Sequence, residues 1–275
     1  MYVRSVIFAL AASASVLATN QASGHFDIFL ARPAAGAKTV TGGADVDALF
    51  YDDVVRVFES ELGSVAGEFL ALEPGVNHPD INNPALTGYP VTAAALQPGD
   101  VLRLKERDFT VGGVTDDLFF WNGVGPVSFS PAAADFRIDG GDPLGSTAGA
   151  GGVFDDHPFL VVDDDSLPGI YLASVHGAVD GFDPSDAVYL VMGTEALITP
   201  EFLGISQAEF DLLSDEQLGE SLDAVIDPAV DFVELNVVVP EPGSLSLTVT
   251  AACVLVTMRR VRRGRVAGAR YGIDC

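Results

Sequence analysis

Residues 25–203 are cut into eleven short runs by Gly, Pro, Asp and Asn, and this punctuation constrains the fold more than any other feature of the chain. The runs are 25–31, 38–41, 54–59, 68–72, 101–106, 118–121, 127–130, 136–138, 158–162, 170–176 and 187–192. They are strand-sized and too short for ordinary helices. "VLRLKE" alternates apolar and polar residues, so it buries one face and wets the other. "FLVV" and "VYLVM" are continuous and suit central strands. Turn signals such as "QPGD", "VGGV", "IDGGDPLG" and "DDDSLPG" lie between runs. The pattern predicts a mainly β protein, an antiparallel β-sandwich or jelly-roll-like domain over residues 25–238. The lack of a fixed-period repeat argues against solenoids and propellers.

Residues 204–227 break this rhythm. Ser206-x-x-Glu209 and Ser214-x-x-Gln217 are capping-box patterns, and two short helices are expected there. "VDFVELNVVV", residues 230–239, reads as a final strand running into Pro240.

The formal charge of −25 hides a strong asymmetry. Between residues 25 and 258 there are 7 basic residues against 38 acidic ones, a net −31. Nucleic acid is therefore not an expected partner, because phosphate binding needs a basic surface. Cys253 and Cys275 are the two cysteines, so no disulfide crosses the body and its core must suffice.

The two ends carry an address. Residues 1–24 have a basic start at Arg4, an apolar alanine-rich stretch from Ser5 to Ala18, and small residues suited to cleavage after Ala18 or after Gly24. That is the pattern of a signal peptide. Near the other end, Ser244 to Met258 is 15 residues without a charge. As a helix it covers about 22 Å, and arginine snorkelling with local thinning can bring it to the ~30 Å of a bilayer. A C-terminal transmembrane helix is expected, with the following arginines on the cytoplasmic side and the body outside.

Pro240-Glu241-Pro242, Gly243, that apolar run and the arginines Arg259, Arg260, Arg262 and Arg263 resemble, in this order, the PEP-CTERM sorting signal. The resemblance implies export and processing by an exosortase, a membrane transpeptidase-like enzyme, in a bacterium with an extracellular polysaccharide matrix. The expected plan is a signal peptide (1–24), an extracytoplasmic domain (25–238), a sorting and anchor segment (239–265) and a short tail (266–275). "HFDIFL", "DDVVRVFE", "DHPFLVV", "PGIYLASV" and "PSDAVYLVM" are similar to stretches of the Zur-repressed PEP-CTERM proteins of cyanobacteria and planctomycetes. That resemblance implies a β-rich exported protein whose amount follows zinc supply. The implied partners are the export machinery, the exosortase, the membrane and the matrix exopolysaccharide.

Chemistry inside the body is sparsely signposted. His25 and Asp27 share one face of a strand, His157 follows Asp155 and Asp156, and His176 ends a run. His25, Asp27, His157 and His176 form a zinc site if their strands adjoin, although no HxH, HExxH or CxxC spacing supports it. The alternative is that these histidines are ordinary edge or loop residues. The loops 161–169 and 179–186 offer Asp163, Asp165, Asp180, Asp183 and Asp186 to calcium, without EF-hand spacing. The same aspartates also simply make turns. There is no GxSxG, and no carboxylate pair stands out as a glycosidase would require. Trp121 in "LFFWNG" is a candidate sugar-stacking residue, although an aromatic run in a strand more often belongs to a core. The expected function is that of a non-enzymatic, exosortase-sorted envelope or matrix protein. A zinc- or calcium-binding surface module and a carbohydrate-binding domain are the alternatives.

Overall fold

The runs of alternating and β-branched residues form strands where a neighbouring strand can take up their backbone hydrogen bonds. A computed structural model describes residues 26–65, 67–139, 148–163 and 167–238. The expected signal peptide, His25, Asp165, the Pro-Glu-Pro motif, the apolar run and the arginine cluster lie outside the described residues. The described chain is mainly β, with mixed sheets and a half-barrel.

Six strands make the first sheet. They are β1 (Phe26–Pro33), β2 (Val40–Asp45), β3 (Phe50–Asp52), β6 (Val76–His78), β7 (Ala93–Ala94) and β14 (Phe154–Asp156). Their order is β14-β6-β1-β2-β3, with β7 also paired to β1. Nine strands make the second sheet: β4 (Val57–Val65), β5 (Glu68–Ala71), β8 (Leu102–Glu106), β11 (Leu118–Trp121), β12 (Ser130–Pro131), β13 (Phe136–Asp139), β15 (Phe159–Val162), β16 (Ile170–Val179) and β17 (Ala187–Thr194). Their order is β12-β11-β16-β17-β4-β5-β15-β13, with β8 sharing the β16 edge with β11. The strands β9 (Phe109–Val111) and β10 (Val114–Asp116) form a separate hairpin.

One apolar core draws on both large sheets. Ile28, Leu30, Val76 and Phe154 come from the first, and Leu104, Leu160, Val175, Val188, Leu190 and Met192 from the second. The other face of the first sheet carries a smaller cluster of Phe29, Ala31, Ala44, Tyr51 and Ala93.

Two pairings are parallel, β1 with β6 and β17 with β4, so the sheets are mixed where an antiparallel arrangement was expected. The reason is connectivity. A crossover such as that from β1 to β6 brings strands together in parallel, and no local signal marks it. The expected strand 127–130 shrinks to the two-residue β12, because Ser128 to Pro131 leaves few partners and the proline donates no ladder bond.

The C-terminal part differs from the expected strand. The segment 230–239 is not a strand through its described length. Three helices follow β17: α1 (Pro200–Leu203), α2 (Gln207–Phe210) and α3 (Asp215–Asn236). Both capping boxes form. Ser206 and Glu209 bond reciprocally at α2, and the Ser214 N–H donates to Gln217 Oε1 at 3.0 Å before α3. The helix α3 is 22 residues long and passes through Pro228. An interior proline costs about 3 kcal/mol in an isolated helix. Here the stripe Leu222, Val225, Ile226, Ala229, Val230 and Val233 is buried at spacings of three and one, which only a helix can present on one side. Gly193 of β17 admits this stripe: a Cβ there would lie 2.7 Å from Ile226 Cδ1 and 3.0 Å from Leu222 Cδ1.

Candidate functional site

The outer face of the six-stranded sheet concentrates the polar chemistry. Across β1, β2 and β3, residues Asp27, Ala44 and Tyr51 stand in register. Across β1, β6 and β14, residues Phe29, Asn77 and Asp155 do the same. Because side chains alternate along a strand, Asp27 shares this face with Phe29, and Gly75 shares it with Asn77.

Asp27 is fully buried. The Gly75 N–H donates to its Oδ1 at 2.9 Å, and the Ile28 N–H donates to the Gly75 carbonyl at 2.8 Å. This reciprocal pair fixes the carboxylate against the start of β6. His157 follows β14 directly and turns its ring onto the same spot. Its Nδ1 lies 3.3 Å from the Leu72 carbonyl oxygen and 3.5 Å from Glu73 Oε1, and its Nε2 lies 3.4 Å from Asp155 Oδ1. One ligand-capable atom from each of Asp27, Glu73 and His157 falls within 4.8 Å of the other two. A Cβ on residue 75 would stand 2.6 Å from the His157 ring and 2.8 Å from Asp27 Oδ1. Glycine at that position is therefore what lets the imidazole meet the carboxylate.

The surroundings register this negative charge. The Tyr51 hydroxyl donates to Asn77 Oδ1 at 3.0 Å. Burial, then the charges of Asp27 and Asp155, push it up to about 12. His78, next along β6, is buried, with Nε2 3.1 Å from the Tyr89 hydroxyl and its ring stacked on Phe29 at 5.8 Å. Burial holds its pKa down to about 4, so it is neutral at ordinary pH.

Among the four histidine and aspartate positions singled out for zinc, the fold brings Asp27 and His157 together. His25 lies outside the described residues, and His176 is not in the group. His176 stands on β16, in register with Lys105 of β8. Burial, then the charges of Arg107 and Lys105, lower its pKa, which is an environment that repels cations. Glu73 and Gly75 went unnoticed in the sequence. They sit in "LEPGVNHPD" between expected strands, and nothing local ties that loop to Asp27, 48 residues before Gly75, or to His157, 85 residues after Leu72.

The aspartates singled out for calcium are engaged elsewhere. Arg103 donates to both oxygens of Asp180, at 2.9 and 3.2 Å, and this hydrogen-bonded ion pair lowers the Asp180 pKa. Asp186 pairs with Lys38, and Asp163 with Arg137, which also binds Glu68 and Asp139. Asp183 holds the loop through its backbone, donating to the Ala37 carbonyl and accepting from the Thr39 N–H. Asp165 lies outside the described residues. Among the described residues these aspartates do not gather into a metal-holding group.

Trp121 is 5% exposed and so offers little ring face to a sugar. A cavity of about 290 Å³ lies beside it, lined in part by Phe120, Asn122, Ser128 and Ser130.

A second carboxylate cluster lies along α3. The site a Cβ on Gly219 would occupy is 3.8 Å from Glu61 Oε1, and that on Gly63 is 3.8 Å from Glu195 Oε1. Burial, then the charges of Asp223 and Glu195, raise the Glu61 pKa. Burial, then Asp227 and Glu220, raise that of Asp223.

These features define a mainly β protein with a mixed-sheet body and a His/Asp/Glu group on one sheet face. No protein-family profile matches the chain. No curated protein matches it either. Among solved structures, it is similar to a family 123 glycoside hydrolase from Clostridium perfringens, with 11% identity and a TM-score of 0.20. The match covers 51% of this chain and 23% of that one, so the chain spans about a quarter of that enzyme's length.

Proposed function

We propose that this chain is an exported, exosortase-sorted protein of the cell envelope or extracellular matrix, without evident catalysis. The observation that carries this reading is the ordered trio of Pro240-Glu241-Pro242, the uncharged run from Ser244 to Met258, and the arginines at 259, 260, 262 and 263. The signal-peptide pattern at residues 1–24 agrees with it. The body is read as a β-sandwich-like module presented outside the membrane, acidic enough to stay dispersed beside matrix polysaccharide. The apolar run serves as a transient or lasting transmembrane anchor. Among the described residues, no helix is long and apolar enough to cross a membrane, and the run itself lies outside them.

The test is fractionation of cells that carry an exosortase and produce the full chain. A shorter species is expected in the envelope or matrix fraction. Replacing Pro240, Glu241 and Pro242 by alanine should leave a full-length, membrane-bound species. Cytoplasmic retention of the unaltered chain, or identical processing of the altered one, would overturn the reading.

A further inference from the structure

We propose that Asp27, Glu73 and His157 bind one divalent cation of the zinc class, a property independent of how the protein is sorted. Ligands on a tetrahedral zinc lie about 2.0–2.2 Å from the metal, hence roughly 3.3–3.6 Å from one another. His157 Nδ1 and Glu73 Oε1 already stand 3.5 Å apart, and the whole group closes within 4.8 Å. Shifts of about an ångström, within the reach of the half-exposed Glu73 side chain, complete the geometry.

The donors also select the ion. Calcium takes six to eight oxygens, which one imidazole and two carboxylates do not supply. An imidazole nitrogen with carboxylate oxygens suits zinc, with solvent as the fourth ligand. The arrangement around His157 fits this role. With its Nδ1 lone pair on the metal, the ring carries its proton on Nε2, which faces Asp155 Oδ1 at 3.4 Å. A carboxylate behind a metal-binding histidine orients the ring and raises its basicity. The contact between Nδ1 and the Leu72 carbonyl belongs to the metal-free form and gives way when the ion binds.

Preorganisation comes from the sheet. Asp27 is buried and already held by the Gly75 N–H, so little side-chain freedom is lost on binding. Gly75 keeps open the space in which ring and carboxylate meet. The third protein ligand comes from the chain just before β6, so the site is assembled from three stretches that only the sheet brings together.

The experiment uses the full chain in detergent, stripped with a chelator, and titrated calorimetrically with zinc, then separately with manganese and calcium. One zinc ion per chain is expected, bound at least tenfold more tightly than calcium. His157→Ala and Glu73→Gln alter half-exposed side chains and should keep the fold, as checked by circular dichroism and melting. Each removes a ligand and should weaken zinc binding by more than the roughly tenfold that loss of an outer-shell partner costs. Asp155→Asn, which leaves all three ligands in place, should weaken it less. No saturable zinc binding, a preference for calcium, or wild-type affinity in both His157→Ala and Glu73→Gln would overturn the proposal. Sorting of the His157→Ala chain should be unchanged, so the two proposals fail separately.

Discussion

The outer face of the six-stranded sheet and the helix-covered part of the nine-stranded sheet both gather carboxylates, yet with different chemistry. On the first, Asp27, Glu73 and Asp155 surround the imidazole of His157, and a backbone N–H holds the buried member. On the second, the charges of Asp223 and Glu195 act on Glu61. Residues 195–238 contain 11 acidic residues and no Lys, Arg or His. The first cluster is organised by hydrogen bonds into convergent donors. The second is a by-product of docking an acidic helix through its apolar stripe, with like charges tolerated at the rim. Proximity of carboxylates is thus no sign of a site by itself. A basic ligand, burial and a fixed orientation are what separate the two.

Docking of α3 depends most on its apolar stripe. Ile226→Ala should destabilise the protein by about 3–4 kcal/mol in urea unfolding, because Ile226 is buried and fills the notch at Gly193. A loss under 1 kcal/mol would mean that α3 is not held by this stripe. The His157 cluster should be little disturbed in this variant, so zinc affinity is expected to stay within about twofold.

Acid should separate the two regions next. His78 is held neutral, its folded pKa lowered from 6.5 to about 4. The unfolded chain takes up the proton first, so His78 costs stability progressively as pH falls from about 6.5 to about 4, by up to roughly 3 kcal/mol. His78→Phe should flatten that part of the stability profile while retaining the stacking on Phe29. An unchanged slope would remove His78 as the source.

The helix rim should respond in the opposite sense, and least. The folded pKa values of Glu61 and Asp223 are raised, so their ionised forms weaken the fold at neutral pH. Protonation through those values restores the loss. Both groups are half-exposed, and solvent screens much of the effect. Asp223→Asn should therefore stabilise the protein at pH 7 by roughly 0.5 kcal/mol and by nothing near pH 4. Equal gains at both pH values would point to helix propensity instead of charge.

Much of the strand pattern was legible in the sequence. The runs at 68–72, 101–106, 118–121, 136–138, 158–162, 170–176 and 187–192 all fall on strands, because alternation and turn residues are local signals. The strands β3, β6, β9, β10 and β14 escaped notice. Each is only three residues long, too short for its own period to stand out from the turns around it. The misreading of 230–236 has the same root. "VDFVELN" suits either period, and the decision came from Gly193 and its neighbours, which offer the helix a surface to cover.

What the sequence determined by itself is local and compositional. It dictated the acidic balance, the two capping boxes, the placing of most strands, and the candidacy of Asp27 and His157. The tertiary structure alone decided that β6 lies parallel to β1, that Glu73 and Gly75 join Asp27, and that His176, Asp163, Asp180 and Asp186 stand with arginine and lysine instead. Hydrophobic period and turn chemistry act over a few residues. The partners of a buried carboxylate are chosen by strand pairing across 48 and more residues of chain, which no short window of sequence encodes.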